Sequence, residues 1–376
     1  MTGDYAGSNV ALEQAKNRIE ELYSTSITES AGSVLINDET ISFDGDKHEQ
    51  VMVHLYMAAN YLDLGDVDAA RVEVLQSQVK MNEWGEPKDE APFMRYFSGM
   101  LFEILGERDS ALVSYRKAVD AYKITKSKHG LNIPVQLKRD FLRLLAAERL
   151  WNEYKRYKQE FGMKGMKAPN QGMGELIVIM NNGLVPQRQQ HTIHTWSNEL
   201  ALNIKIALPT YPYPPAYVDQ VRVTVGNQRK LLETVANLDG MARAALAENL
   251  PVITARAIAR AVVKKKSEQQ AGDRNGALGQ FAMMILNQAT EIADTRCWNT
   301  LPQQIQLARL WLPNGPHTVK LEVLGPAGVL RDTIEIPVTI KAGGKTVLTE
   351  HWTAPRPLVD SQSLAGDPKT MARAAQ

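Results

Sequence analysis

Few side chains in this 376-residue sequence stand at the spacings that chemistry requires. His191 and His194 suggest a metal pair. They fall in an extended stretch, however, where residues three apart point to opposite faces, and no carboxylate or cysteine is placed to complete a ligand set. No metal is expected there. Gly344-Lys345-Thr346 has the ending of a phosphate-binding loop, but Thr339 stands where the first glycine belongs and a strand pattern follows, so it reads as a hairpin turn. Asp294-Thr295-Arg296 with Trp298 is the most specific constellation. An Asp and an Arg beside a Trp form a paired, partly desolvated corner that locks a chain crossing. The same grouping suits a sugar or peptide ligand, which keeps Asp294, Arg296 and Trp298 as a candidate site. Arg256, Arg260 and Lys264 recur every fourth residue and are followed by Lys265 and Lys266. A lipid headgroup or a nucleic acid could use that stripe, but a solvated face near a helix end is the simpler reading. Tyr211-Pro212-Tyr213-Pro214-Pro215 is extended enough to dock in an aromatic groove and is explained more simply as a stiff connection between strands. With no titrating dyad, neither an enzyme nor a cofactor is expected.

Composition sets broad limits. The chain is 44% hydrophobic and 23% charged, enough apolar material for two compact domains. A formal net charge of +1 gives no overall pull toward nucleic acid or anionic lipid. One cysteine, Cys297, excludes an internal disulfide and a cysteine-built metal site. No apolar run approaches the length of a membrane-spanning helix, and no signal peptide is visible.

The elements that must position any site begin with two helical hairpins of one design between His48 and Tyr122. Counted from the turn glycines Gly65 and Gly106, small residues recur at the same offsets: Ala58 and Gly99, Ala70 and Ala111, Ser77 and Ala118. Larger residues, Tyr61 and Phe102, then Val74 and Tyr115, fall between them. Small residues let paired helices approach and the larger ones fill the space beside them, which is the tetratricopeptide pattern. Gly3-Asp4-Tyr5 with Ser8, Leu12 and Ala15 repeats the return arm alone, so the natural polypeptide is expected to begin further upstream. Ser24 to Asp46 lacks helical period and suggests an extended excursion about Asn37-Asp38. Leu137 to Phe161 is helical again and suggests a degraded third hairpin, turning near Trp151-Asn152 and capping the stack.

Gly162 to Gly174 reads as a linker, because it is rich in glycine and has no apolar period. Beyond it, strands are expected over Glu175 to Asn181, Leu200 to Leu208, Val221 to Val225, Val319 to Val323 and Ile334 to Ile340, with Pro337 marking an edge. A helical block from Leu238 to Asp294 interrupts them, in three pieces broken at Gly272 to Gly276. The expected architecture is α+β: tetratricopeptide-like helical hairpins over 1–161, a linker over 162–174, an antiparallel β-sandwich-like domain over 175–356 with the insertion 238–294, and a flexible tail over 357–376.

Four stretches, Gly3-Asp4-Tyr5-Ala6-Gly7-Ser8-Asn9, Ile19 to Ile27, Asn60 to Asp66 and Ala293 to Pro302, resemble an uncharacterised family of bacterial envelope lipoproteins with a tetratricopeptide front half. The resemblance covers nearly the whole chain. It implies a periplasmic, outer-membrane-associated location and a genomic neighbourhood of lipoproteins similar to penicillin-binding-protein activators and curli-secretion components. The lipoprotein signal and its lipidated cysteine are not in this sequence, so membrane attachment is expected only through an upstream anchor. The family supplies no catalytic residues.

The reading that follows is a non-catalytic scaffold or assembly factor that binds other envelope proteins, penicillin-binding-protein-activator-like lipoproteins among them, and no nucleic acid. If the first helix of each hairpin lines a concave side, Leu55, Ala59, Leu62, Tyr96, Met100 and Glu103 form its partner-binding groove. The alternative is a module that binds peptidoglycan or another glycan through Trp298, Trp352 and Tyr217.

Overall fold

A computed structural model of the protein describes residues 3–29, 43–164, 172–197, 202–212, 218–289 and 292–353. Seven helices come first: α1 (Tyr5–Glu29), α2 (Lys47–Asp63), α3 (Val67–Trp84), α4 (Pro92–Leu105), α5 (Arg108–His129), α6 (Val135–Ala147) and α7 (Trp151–Glu160). Strands β1 (Met173–Asn182), β2 (Gln189–Ser197), β3 (Leu202–Thr210), β4 (Gln220–Val225), β5 (Gln228–Leu231) and β6 (Glu233–Asn237) follow. Helix α8 (Leu238–Ala289) then precedes β7 (Gln304–Pro313), β8 (Gly315–Leu324), β9 (Leu330–Ile340) and β10 (Lys345–Trp352). The fold is mixed α+β. No described helix is long and apolar enough to cross a membrane.

The first two hairpin turns are built alike. Gly65 and Gly106 take the left-handed conformation, with φ of 80° and 78°, and each is followed by an amide that closes on the preceding helix: Asp66 N to Tyr61 O and Glu107 N to Phe102 O, both 2.8 Å. Ala58, Ala70, Ser77, Ala111 and Ala118 are all fully enclosed where the helices meet. A Cβ on Gly99 would lie 2.3 Å from the Tyr115 ring, so the helices α4 and α5 touch through a site that only glycine fits. The third hairpin turns earlier than expected, at Arg149. That residue has φ of 57°, and the same closing bond runs from Leu150 N to Leu145 O at 2.9 Å. An arginine in the glycine position hides this turn from a search for glycine. Leu12 on α1 packs against Val53 and Met57 of α2, so the arm at the chain start has a partner.

The strands form a four-stranded sheet of order β10-β1-β7-β6, a second of order β5-β4-β8-β9, and a separate β2–β3 ladder. Successive residues of β1 face opposite sides: Leu176, Val178 and Met180 enter a core shared with Val221, Val223, Val319 and Leu321 of the second sheet. Ile177 and Ile179 enter the core of the helices. Burial on both faces explains why this strand is continuously apolar where β4 and β8 alternate. Helices, first sheet and second sheet thus stack as three layers.

Three expectations are corrected. The strands are not all antiparallel, since β10 runs parallel to β1 with Glu175 opposite Lys345. Gly343-Gly344 therefore does not close a hairpin ladder; it carries the chain from the edge of the second sheet to the edge of the first, and Pro337 sits on that edge strand β9. The helical block is one 52-residue helix that passes through Pro251 and through Gly272 to Gly276 without a break. Glycine costs only about 1 kcal/mol in a helix interior and proline about 3, which a long helix with a packed face can absorb. Part of that packing is the contact of Ala257 and Ala261 with Ile206 and Leu208 of β3. Residues 30–42 and 165–171, where most of the expected excursion and the middle of the expected linker fall, lie outside the described residues.

Candidate functional site

The six residues expected to face a partner lie in or beside the protein's own core. Leu55, Ala59, Tyr96, Met100 and Glu103 are buried and Leu62 is half-buried. All of them except Glu103 share or border one apolar core with Ile177, Ile179, Ile305 and Leu307 of β1 and β7. The hairpin wall carries too much apolar surface to stay wet once an apolar sheet face lies in the same chain.

Glu103 joins a sealed ion network between the helices and that sheet. Arg309 of β7 donates through Nε and Nη2 to Glu175, both at 2.7 Å, and through Nη2 to Glu103 at 3.1 Å. Its Nη1 lies 2.9 Å from Asp140. Arg143 donates to Glu103 at 2.6 Å, and the Tyr115 hydroxyl donates to the same carboxylate at 2.7 Å. Tyr96 donates to Asp140, whose other oxygen accepts from Gln136 at 2.9 Å. Burial pushes the Glu103 carboxyl up, but Arg309 and Arg143 outweigh it and hold the group down at about 2. Asp140 goes the other way: burial raises it, and the neighbouring Glu175 and Glu103 add to burial against the pull of the two arginines. Lys230 and Lys345 at the margins are lowered, first by burial. Strongly perturbed groups often mark catalysis. Here Arg309 joins the layers, reaching Glu103, Asp140 and Tyr115 of the helices from the sheet it shares with Glu175, while the other bonds hold the helices to one another; none of these side chains lines the large cleft described below. The network is a structural clasp. Arg309 inside the apolar run Ile305 to Leu312, and Glu175 beside Leu176 to Met180, were its only sequence signals: a charge on a two-sided strand requires a partner.

The open site is a cleft of about 850 Å³ between the start of α2, the ends of α3 and α5, and the first turns of α8. Most of its charges are paired. Asp46 binds Arg188; Asp89 binds Lys47 and lies 3.5 Å from Lys128, and Lys128 also reaches Glu248 at 2.9 Å. Lys47 lies 5.5 Å from the centre of the Trp84 ring. His48 and His129 are both buried at its wall, and burial, with Lys128 nearby, lowers them to about 3 and about 4. The His48 Nδ1 makes no hydrogen bond.

Asp46, His48 and Glu49 place one ligand atom each within 4.8 Å of one another. Their chemistry does not suit a cation. Asp46 and Glu49 form the capping box of α2, Glu49 accepting from Asp46 N at 2.9 Å and from Trp298 N at 2.7 Å. Asp46 is already engaged by Arg188, and the positive end of α2 opposes a metal ion. The Asp46 to Glu49 spacing was the legible signal for this helix start.

The remaining candidates are dispersed. Arg296 grips Asp294 through two side-chain bonds of 2.9 and 2.8 Å, while Trp298 packs edge-on against Tyr56 with ring centres 6.0 Å apart. Arg296 lies over Phe43, not Trp298. Trp352 is buried and donates to Asp332, and Tyr217 lies outside the described residues, so no aromatic platform for a glycan is assembled from the described members of that set. His191 and His194 are exposed on β2. The basic stripe on α8 is not one wet face: Arg256 is exposed and Arg260 is buried, while the side chains of Lys264 to Lys266 lie outside the described residues. Tyr211 sits between Arg188 and Arg243, at 5.7 and 5.6 Å from its ring centre. No protein-family model matches this chain, and no curated protein matches it either.

Proposed function

We propose that the chain is a non-catalytic scaffold or assembly factor of the bacterial cell envelope, holding other envelope proteins through the arm formed by α8 and the β2–β3 ladder. The tetratricopeptide-like reading of the hairpins and the sandwich-like reading of the two facing sheets belong to this proposal; the first rests on the matched small-residue offsets and turn bonds, the second on the core the sheets share. The envelope location, and penicillin-binding-protein-activator-like lipoproteins as partners, rest on the resemblance of the four sequence stretches.

The observation that carries the reading is the solvent exposure of large apolar side chains on the arm, with Trp196 at 56% and Val252 at 52%, joined by Ile193, Ile258 and Val263. Exposed tryptophan and branched side chains on one such unit are what a protein interface uses as anchors. The hairpin wall, covered by the first sheet, is not available for that role.

Photo-cross-linking in intact envelopes tests it. A photoreactive residue at Trp196 or Ile258 is expected to give one discrete adduct, absent when the other position carries glutamate, while the same residue at buried Tyr96 gives none. Adducts that form equally from the outer faces of α3 and α5 would contradict the reading.

A further inference from the structure

We propose that α8 is hinged at Pro251. The β2–β3 ladder and the helix beyond the proline turn as one unit against the body of the molecule, and the pair of Arg188 with Asp46 is the latch that sets their angle. The hinge is independent of the protein-binding reading of the arm and goes beyond it.

Two features weaken the same turn of α8. Pro251 has no N–H to give the carbonyl of Ala247, so the run of helical bonds loses one member there. The Thr254 hydroxyl donates to the Leu250 carbonyl at 2.7 Å, a back-bond of the kind that bends helices. Sharp bends concentrate at such places. Packing divides at the same point. Before the proline, Leu238, Met241, Ala242 and Leu246 belong to the core of the helices. After it, Ile253 borders that core, and Ala257 and Ala261 pack with Ile206 and Leu208 of β3 in a small core of their own. A helix seated in two separate cores bends most readily between them.

The latch lies at the foot of β2. Arg188 donates to Asp46 at the N-cap of α2, to the Tyr211 hydroxyl at 3.0 Å and to the Arg296 carbonyl at 3.2 Å. Its side chain is 7% exposed and that of Asp46 11%, so salt screens the pair little. Arg243, on the stretch of α8 before the proline, donates to the Pro212 carbonyl just past β3 at 2.8 Å. The foot of the ladder and the start of α8 are thus tied to the body, and what lies beyond Pro251 swings on them. The cleft of about 850 Å³ straddles this hinge. Met241, Ala245 and Glu248 line it before Pro251, Val252 and Arg256 after it, and Pro209 of β3 joins them. A change in the angle of the far helix therefore moves part of the cleft's wall against Trp84 and Lys128 of the body, and the width of the cleft follows the position of the arm.

Electron–electron distance measurements between spin labels on the full chain test the hinge, with C297S removing the native thiol. One pair joins K117C on α5 to A247C, before the proline; the other joins K117C to A259C, after it, all three positions being exposed. D46N keeps a side chain that caps α2 but loses the charge that holds Arg188. It is expected to widen the K117C to A259C distribution about twofold and to leave the K117C to A247C distribution unchanged. P251A, which restores the helical bond, is expected to narrow the first of these in the otherwise unaltered chain and to suppress the widening by D46N. Equal widths for the two pairs in every background, widening of both in D46N, or indifference to P251A would overturn the proposal.

Discussion

At the scale of single residues, the protein keeps its strongest charges where water is absent. Removing Arg309 would strand Glu103, Asp140 and Glu175 in a dry layer, so the arginine matters through what its loss leaves unpaired. The histidines set the acid limit of the fold. His48, His129 and His351 are lowered from 6.5 to about 3, 4 and 4, in each case first by burial. The unfolded chain takes up these protons at higher pH than the folded one, so the stabilisation is complete above 6.5 and is lost as pH falls toward the folded values. Glu103, lowered from 4.5 to about 2, adds a loss that begins near pH 4.5. Asp63, lifted to about 6 by burial and Glu350, opposes these trends in part. Urea denaturation is expected to show stability falling from pH 7 to pH 4, with a shallower slope in H48Q. An equal slope in the variant would show that His48 does not bury neutral.

Elements obey a simple packing rule in the second hairpin. Tyr115 cannot swing away from a new side chain at Gly99, because Glu103 and Arg309 hold its hydroxyl at 2.7 and 3.3 Å. Gly99→Ala is therefore expected to cost about 1–3 kcal/mol through overpacking. Gly106→Ala meets no neighbour within 4 Å and strains only its left-handed backbone, a loss of about 1 kcal/mol. Chemical unfolding of both variants checks the order; a smaller loss at Gly99 would mean the helices do not meet there. The two glycine-turned hairpins were legible in the sequence because turn and contact residues recur at fixed offsets. The third turn was missed because Arg149 replaces the glycine. The unbroken α8 was missed because local breakers were weighed without the strand that packs on it. Parallel pairing of β10 with β1 could not be read at all, since strand alternation reports a buried face and not the direction of a neighbour.

For the molecule as a whole, the decisive fact is that the helical wall and the first sheet cover one another. Sequence periodicity showed that α2 and α4 carry apolar faces, and it had no means of saying whether a partner or the chain itself fills them. The cleft was illegible for a related reason: Asp46, His48, Lys128, Arg188 and Arg256 come from four separate segments that only the packed layers bring together. If the layers form one unit, the clasp around Arg309 holds the hairpins and the first sheet in one fixed relation.

Native-state hydrogen exchange in wild type and R309M measures that unity most directly. The amides of α4 and of β7 are expected to open with the same free energy, and both are expected to lose about 3–5 kcal/mol in the variant. Helices that open independently of β7, with R309M altering the strand alone, would contradict it.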